Sequence, residues 1–502
     1  MTAELRASLA SLAERGVDVG ARFRAKGVVR QIGDGVLTTS GIPELGYQEL
    51  LRLDGGALAI AMDVGVDEVG AALLTKQDAT RAGDGAVATG ELPSIPVGEA
   101  LLGRLIDASG AVLDGGPPLP RDRAPVFRPP PELTERAPVN QPLHTGVTAI
   151  DAAIPIGRGQ RQLLIGDRNV GKTALALDIV AAQAGTDVRC VYVVVGQPLS
   201  RVLALRDTLE SAGALRHTTI LCADSSRPPG LQYIAPYAGA TVAEHFRDRG
   251  EHALLVIDDL TKHADAYREL ALLLGRPPGR EAYPGDIFNV HAELLERATA
   301  MSAAGGGGTL TAIPIAETTD GDISAYIPTN LISITDGQLY LDSGRFERNL
   351  RPAIDIGRSV SRVGGAAQTP ELRAASHNLR IAIARFESLE GLSRVGLDVD
   401  ARAQVTLRRG RQLRELLRQP RFSARSRADE IASLVAITEG HLDGLEPAVT
   451  SRVLERALRC ARDEARELVA AFTSAPREGW EPRWVELLRA ARETEGRREA
   501  KP

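Results

Sequence analysis

Cysteine is scarce in this chain. Its three thiols, Cys190, Cys222 and Cys460, include no CxxC pair. A disulfide framework is therefore not indicated, and two of the three lie inside apolar runs, as buried reduced thiols do. No stretch of about 18 consecutive apolar residues occurs, which excludes a membrane-spanning helix. An excess of one charge sign is missing too: the net charge of -5 gives no support to nucleic-acid binding. Residues 1–20 lack an apolar signal core, and Glu4, Glu14 and Asp18 argue against an organelle transit peptide.

What is present is ordinary for a soluble globular protein, with 43% hydrophobic and 25% charged residues. At 502 residues the chain is too long for one core, so several domains are expected. Leu5, Leu9 and Leu12 recur at helical spacing and predict an amphipathic helix over 1–19. Such a helix packs on its own domain or docks a partner, and the sequence leaves both open.

Residues 20–93 read as short strands closing into a small antiparallel barrel. Segments 28–32 and 36–39 flank Gly33-Asp34-Gly35, a hairpin signal, and 57–62 and 69–74 continue the pattern. A proline-dense lead-in fills 94–142. From there to 370, apolar strands over 162–165, 191–195, 219–221, 253–257 and 309–313 alternate with helical stretches. Near-continuous apolar runs of this kind fit a parallel sheet covered by helices on both faces. In 371–502 strands stop: Leu372, Ala375, Leu379, Ile383, Phe386 and Leu389 form one helical stripe, with Arg/Glu-rich helices after it. Residues from 493 onward read as a frayed tail.

The chemistry concentrates at Gly166-Asp167-Arg168-Asn169-Val170-Gly171-Lys172-Thr173. A GxxxxGK[ST] loop after a strand and before a helix, here 174–182, turns several backbone N–H groups toward one point. Lys172 adds a point charge at the outer phosphates and the Thr173 hydroxyl can ligate Mg2+. The strand at 254–257 ends in Asp258-Asp259, and Asp258 is placed to accept from the water shell of that ion. The alternative is a glycine-rich turn beside an exposed acidic turn, and the two halves together count against it. ATP or ADP with Mg2+ is the expected ligand.

The strand at 190–196 leads to Gln197, where a working ATPase of this layout needs a carboxylate. A neutral amide cannot accept the proton of the attacking water, and loss of such a base costs on the order of 10² to 10⁴ in rate. Some GTPases do orient water with Gln. Slow or absent hydrolysis at this site is expected.

At this point the residues resemble the alpha subunit of the F-type ATP synthase catalytic head, a non-catalytic partner in a hexameric ring. The likeness covers nearly the whole chain. It runs through Ile32-Gly33-Asp34-Gly35, Leu102-Gly103-Arg104-Leu105-Ile106-Asp107, Gly146-Val147-Thr148-Ala149-Ile150-Asp151 and Pro155-Ile156-Gly157-Arg158-Gly159-Gln160-Arg161. It continues through Arg276-Pro277-Pro278-Gly279-Arg280-Glu281 and Ser324-Ala325-Tyr326-Ile327-Pro328-Thr329-Asn330. The resemblance implies a multi-domain fold: an N-terminal antiparallel β-barrel, a central α/β RecA-like P-loop domain and a C-terminal α-helical bundle.

Two places decide for alpha over beta. Gln197 stands where catalytic beta subunits carry glutamate. Ser359-Val360-Ser361-Arg362-Val363-Gly364 resembles the alpha segment whose arginine finger, here Arg362, reaches the beta subunit's nucleotide. The resemblance further implies Phe346 and Arg351 near the nucleotide and Gln419 facing the adenine, with Arg421 beside it. It implies beta, gamma, delta and b subunits as partners and a peripheral place on the cytoplasmic face of the bacterial cell membrane. Three departures mark a divergent copy. They are Asn169-Val170 for Gln-Thr, Pro198-Leu199 for a basic residue, and Pro420-Arg421 for Gly-Gln. The coupling ion, H+ or Na+, is chosen in the membrane sector and not in this chain. Two other plans share elements of the pattern. A self-sufficient hexameric export-type ATPase needs a glutamate at 197, and an RNA translocase needs a basic barrel that 20–93 does not supply.

Overall fold

A computed structural model describes residues 26–75, 80–394 and 400–499; the helix expected over 1–19 lies outside them. The chain divides into two compact units. One holds the described residues up to 93 with the short segments 227–231 and 266–277, and the other holds the remainder.

The first unit is a closed barrel. Its strands are β1 (Lys26–Gly33), β2 (Val36–Ser40), β3 (Leu50–Leu53), β4 (Leu58–Val64), β5 (Glu68–Leu73) and β6 (Gly85–Ala88). They close in the order β1-β2-β5-β4-β3-β6, and every pair is antiparallel. The expected hairpin forms, with Gly33 opposite Val36. Asp34 and Gly35 both take positive φ, 50° and 84°, which is the twist a two-residue hairpin turn needs. Strands β3 and β6 carry little alternation and were not read from the sequence. Small alanines (Ala59, Ala61, Ala71, Ala86) mix with Leu37, Leu51 and Leu53 inside, as a narrow lumen requires.

In the second unit the strands are β7 (Ser94–Pro96), β8 (Leu105–Asp107), β9 (Arg123–Pro125), β10 (Leu163–Gly166), β11 (Val188–Val195), β12 (Thr218–Ala223), β13 (His252–Asp258), β14 (Thr309–Glu317), β15 (Gly337–Leu341) and β16 (Val360–Ser361). Eight form one sheet in the order β16-β15-β10-β14-β13-β11-β12-β8, parallel throughout except for β16. The five anticipated strands are its centre, and their buried faces read as the apolar runs they are. The sheet is wider than expected on both sides. The lead-in contributes β8, because Asp114 holds Arg104 through two hydrogen bonds (2.8 and 3.0 Å) and so orders the turn behind it. None of the three cysteines is in a disulfide, and Cys190 and Cys222 are buried in β11 and β12.

Arg297 is almost wholly buried and holds Glu244, equally buried, through two short bonds of 2.9 and 2.6 Å. The same guanidinium donates to the Val126 carbonyl at 2.9 Å, fixing the proline-rich segment against the helix Pro229–Arg247. Removing one partner of such a pair strands the other charge in an apolar site.

Among the described residues seven helices follow, from Pro370–Ser376 to Arg477–Glu499. The single stripe expected from Leu372 to Leu389 is broken between Pro370–Ser376 and Leu379–Arg394, yet Leu372, Leu379, Ile383 and Phe386 are all buried. The tail is a correction: helix continues to Glu499, because buried Glu495 accepts from Arg452 and Arg456 of the neighbouring helix Pro447–Glu464.

Gly410, on Ala401–Leu417, lies against the Phe386 ring so closely that a Cβ there would stand 2.2 Å from it. Gly410→Ala should therefore destabilise the chain by about 1–3 kcal/mol through overpacking. Helix propensity alone would stabilise it by ~1 kcal/mol. A urea midpoint that rises on substitution would refute this packing argument.

Candidate nucleotide site

The parallel sheet turns the carboxyl ends of β10, β11, β13 and β14 to one edge, and the sequence-predicted groups meet there. The loop after β10 turns through Asn169 (φ 63°) and Gly171 (φ 98°). Asparagine is one of the few side chains that take the left-handed region readily, so this loop's departure at 169 fits its backbone. Gly166 lies so close to the Leu341 carbonyl that a Cβ would stand 2.4 Å from it.

The helix begins at Lys172, two residues earlier than the sequence pattern suggests, and runs to Ala181. Lys172 is buried. Its Nζ donates to the Gly166 and Asp167 carbonyls at 2.8 and 2.6 Å, and burial lowers its pKa. Asp167 in turn accepts from Thr318 Oγ1 (2.6 Å) and the Gly321 N–H (2.8 Å), which anchors the loop's start. The Thr173 hydroxyl donates to Asp258 Oδ2 at 2.8 Å, and the Tyr192 hydroxyl donates to the same oxygen at 3.0 Å. Burial raises the Asp258 pKa. Asp259 is pushed up to about 7 by burial and by the charge of Asp258. A hydroxyl and a carboxylate converging on one point are the donor set Mg2+ takes beside phosphates, so the residues fit that ion.

Strand β11 stops at Val195, and the break is Gly196 at φ 63°; Gln197 follows it and is not strand. Its Nε2 lies 3.5 Å from the Asp258 carbonyl, at the outer limit for a hydrogen bond. A cavity of about 390 Å³ is lined by Lys172, Thr173, Gln197, Asp258, Arg201 and Glu317, among others. The last two were missed from the sequence. Arg201 lies four residues after Gln197, in the first turn of the helix Leu199–Ser211, and Glu317 is the final residue of β14. Arg168 faces outward and pairs with Glu317 at 2.8 Å.

A second cavity, of about 240 Å³, adjoins the loop and is mostly apolar, with Val147, Val170, Leu175, Phe346, Pro352 and Phe422 in its wall. The Arg351 guanidinium stacks on the Phe346 ring, 4.6 Å from its centre. Arg421 borders both cavities, stacks on Phe422 and lies 3.7 Å from Asp178. Gln419 also borders this second cavity, but its amide is committed to the main chain. Its Oε1 accepts from the Thr148 N–H at 2.8 Å, and its Nε2 donates to the Gly146 and Ser423 carbonyls.

Arg362 is elsewhere. It follows β16, whose Ser361 pairs with Gly337 at the start of β15, whereas the loop's Gly166 pairs with Leu341 at that strand's end. Four strand steps of about 3.3 Å separate the two ends. Arg362 is exposed there, its N–H bonded to the Asp336 carbonyl.

Known proteins are similar to this chain in sequence. Residues 146–361 match the ATP synthase alpha/beta family, nucleotide-binding domain, and 368–479 match the ATP synthase alpha/beta chain, C terminal domain. The chain is 50% identical over 434 residues to ATP synthase subunit alpha 2 of Burkholderia thailandensis, covering 86% of this chain and 78% of that one. It is 50% identical over 439 residues to ATP synthase subunit alpha 3 of Paraburkholderia xenovorans, covering 86% and 83%. This chain belongs to the F-type ATP synthase alpha-subunit family. An alpha-family chain binds nucleotide as part of the peripheral catalytic head, and no described helix is long and apolar enough to cross a membrane.

Within this alpha-family site, Gln419 bonds the Gly146–Thr148 turn to the helical bundle. Gln419→Leu should leave the buried Thr148 N–H without its acceptor and cost about 1–3 kcal/mol, while the Gly146 carbonyl keeps the Arg425 N–H. Unfolding of the nucleotide-free chain measures this. Unchanged stability with weakened nucleotide binding would instead make Gln419 a ligand contact.

Proposed function

We propose that this chain is the nucleotide-holding, non-catalytic alpha subunit of a rotary F-type ATP synthase head. In this reading it alternates with beta subunits in a hexameric ring and contacts the gamma subunit of the central stalk and the delta and b subunits of the peripheral stalk. The head sits on the cytoplasmic face of the bacterial cell membrane, and the membrane sector moves H+ or Na+. The relatives named alpha 2 and alpha 3 are in keeping with a divergent copy.

The observation that carries the reading is a division of labour along β15. At one end, the chain's own loop faces an amide, Gln197, where a proton-accepting carboxylate would stand. At the other end of β15, Arg362 is exposed and, among the described residues, its guanidinium has only a 3.5 Å contact with the Ile332 carbonyl, which leaves it accessible to a neighbour. In the chain's own site, Gly166 to Thr173 cradle the phosphates of ATP or ADP with backbone N–H groups. Lys172 turns from its loop carbonyls to the outer phosphates. Thr173 would hold Mg2+ directly and Asp258 would hold it through water, which would supply positive charge beside the phosphates. Phe346, Arg351, Gln419 and Arg421 enclose the base side. Gln197 can orient a water but cannot take its proton, and Glu317 is held by Arg168. The bound nucleotide therefore persists. Arg362 supplies positive charge to the phosphoryl group transferred in the adjoining beta site, an effect of roughly 10³ to 10⁵ in rate where such fingers act.

ATPase assays of the chain alone and after mixing with its cognate beta subunit test this directly. Silence alone and turnover together are expected. Turnover by the chain alone would bring forward the self-sufficient ATPase, with Glu317 as the base to examine. In the assembled complex, Arg362→Ala should reduce turnover by at least ~10³ while nucleotide binding to this chain is unchanged. Turnover that survives would place the finger elsewhere. Lys172→Ala should weaken nucleotide binding at this site and leave measurable activity in the complex; complete loss would make this site catalytic.

A further inference from the structure

Behind the nucleotide cavity lies a cluster that none of this chemistry uses. His144 precedes the helix Thr148–Ala153, Asp151 sits on that helix, and Glu430 is in the first turn of Arg427–Thr438 in the helical bundle. One donor atom from each lies within 4.8 Å of the others. His144 Nδ1 is 2.9 Å from Asp151 Oδ2 and 3.9 Å from Glu430 Oε2. Glu430 is 0% exposed and neither of its carboxylate oxygens has a hydrogen-bond partner. The Thr148 hydroxyl lies close enough to favour the ionised form of Glu430, yet it does not meet hydrogen-bond geometry with either oxygen. The Arg425 guanidinium is turned to Thr148 Oγ1 and the Leu416 carbonyl instead. A buried carboxylate left in this state is costly unless a cation or proton meets it.

We propose that His144, Asp151 and Glu430 form a binding site for one divalent transition-metal ion of the Zn2+ class, joining the nucleotide-binding domain to the helical bundle. Three features fit. The His144 ring is oriented for ligation: Nε2 lies 2.9 Å from the Arg425 carbonyl, which fixes the tautomer and turns Nδ1 toward the two carboxylates. Asp151 is set by the Thr145 and Gly146 N–H groups and the Thr145 hydroxyl. Tetrahedral Zn2+ with bonds near 2.0–2.2 Å places its ligands roughly 3.4 Å apart. The present separations of 2.9 and 3.9 Å bracket that value, so small side-chain shifts complete the set. A cavity of about 10 Å³ beside His144 and Asp151 is the size of one solvent molecule, which supplies the fourth ligand. The ion would sit directly under Gly146, whose carbonyl accepts from both Gln419 and the Arg425 N–H.

The test uses the nucleotide-free full chain, stripped with chelator, reloaded with one equivalent of Zn2+ or Co2+ and desalted. One retained equivalent, visible Co2+ absorption bands of a tetrahedral site and an unfolding temperature that rises with Zn2+ are expected. Glu430→Gln, nearly isosteric, and His144→Gln should each weaken Zn2+ binding on the order of 100-fold, while Asp429→Asn on the same helix should not. The Thr173–Asp258 site is intact in all three, so this outcome is independent of the function proposed above. Zn2+ retention no greater than that of Glu430→Gln, or an unfolding temperature indifferent to Zn2+, would overturn the proposal and leave a proton-neutralised ion pair.

Discussion

In a parallel sheet every strand delivers its carboxyl end to the same edge, and the candidate site depends on that polarity. It carries the phosphate loop after β10, Gln197 after β11, Asp258 at the end of β13 and Glu317 at the end of β14 to one cavity. The Thr173–Asp258 hydrogen bond is the point where the first and third of these meet. Antiparallel pairing of any central strand would send its last residue to the opposite edge. The same polarity explains Arg362. Its strand, β16, is the only one in the sheet that runs the other way, so its end lies far from the loop of its own chain.

The adjoining apolar cavity is made differently, by residues distant in sequence that share one buried turn. Gly146 accepts from Gln419 and Arg425, and Thr148 donates to Gln419. This network couples the helical bundle to the nucleotide-binding domain through main-chain groups, which cannot be replaced by choosing another side chain. The cavity beside Phe346 and Phe422 is therefore lined by residues of both domains. The buried Arg297–Glu244 pair plays a comparable role for the proline-rich segment, because the same guanidinium that holds Glu244 also donates to the Val126 carbonyl.

Much of this was legible before any coordinates. The five central strands, the hairpin at Asp34-Gly35 and the loop from Gly166 to Thr173 each follow a local rule of periodicity or turn chemistry. What was not legible lacked such a rule. Strand β8 lies in a proline-dense stretch and is strand because the Asp114–Arg104 contact orders its turn and β12 offers it a parallel edge. Glu317 and Arg201 are ordinary charged residues until the sheet turns them into a cavity. The helix through 493–499 reads as a polar tail unless Arg452 and Arg456 are known to face Glu495.

The sequence by itself determined the family, the order of barrel, sheet and helical bundle, and the identity of the phosphate-loop and Gln197 positions. Those features rest on contiguous residues whose spacing is their chemistry. Tertiary structure alone decided that Gln419 is bound to main chain, that Arg362 and the loop occupy opposite ends of β15, and that His144, Asp151 and Glu430 converge. Each depends on contacts between residues far apart in the chain, and no local pattern encodes which distant group a side chain will meet.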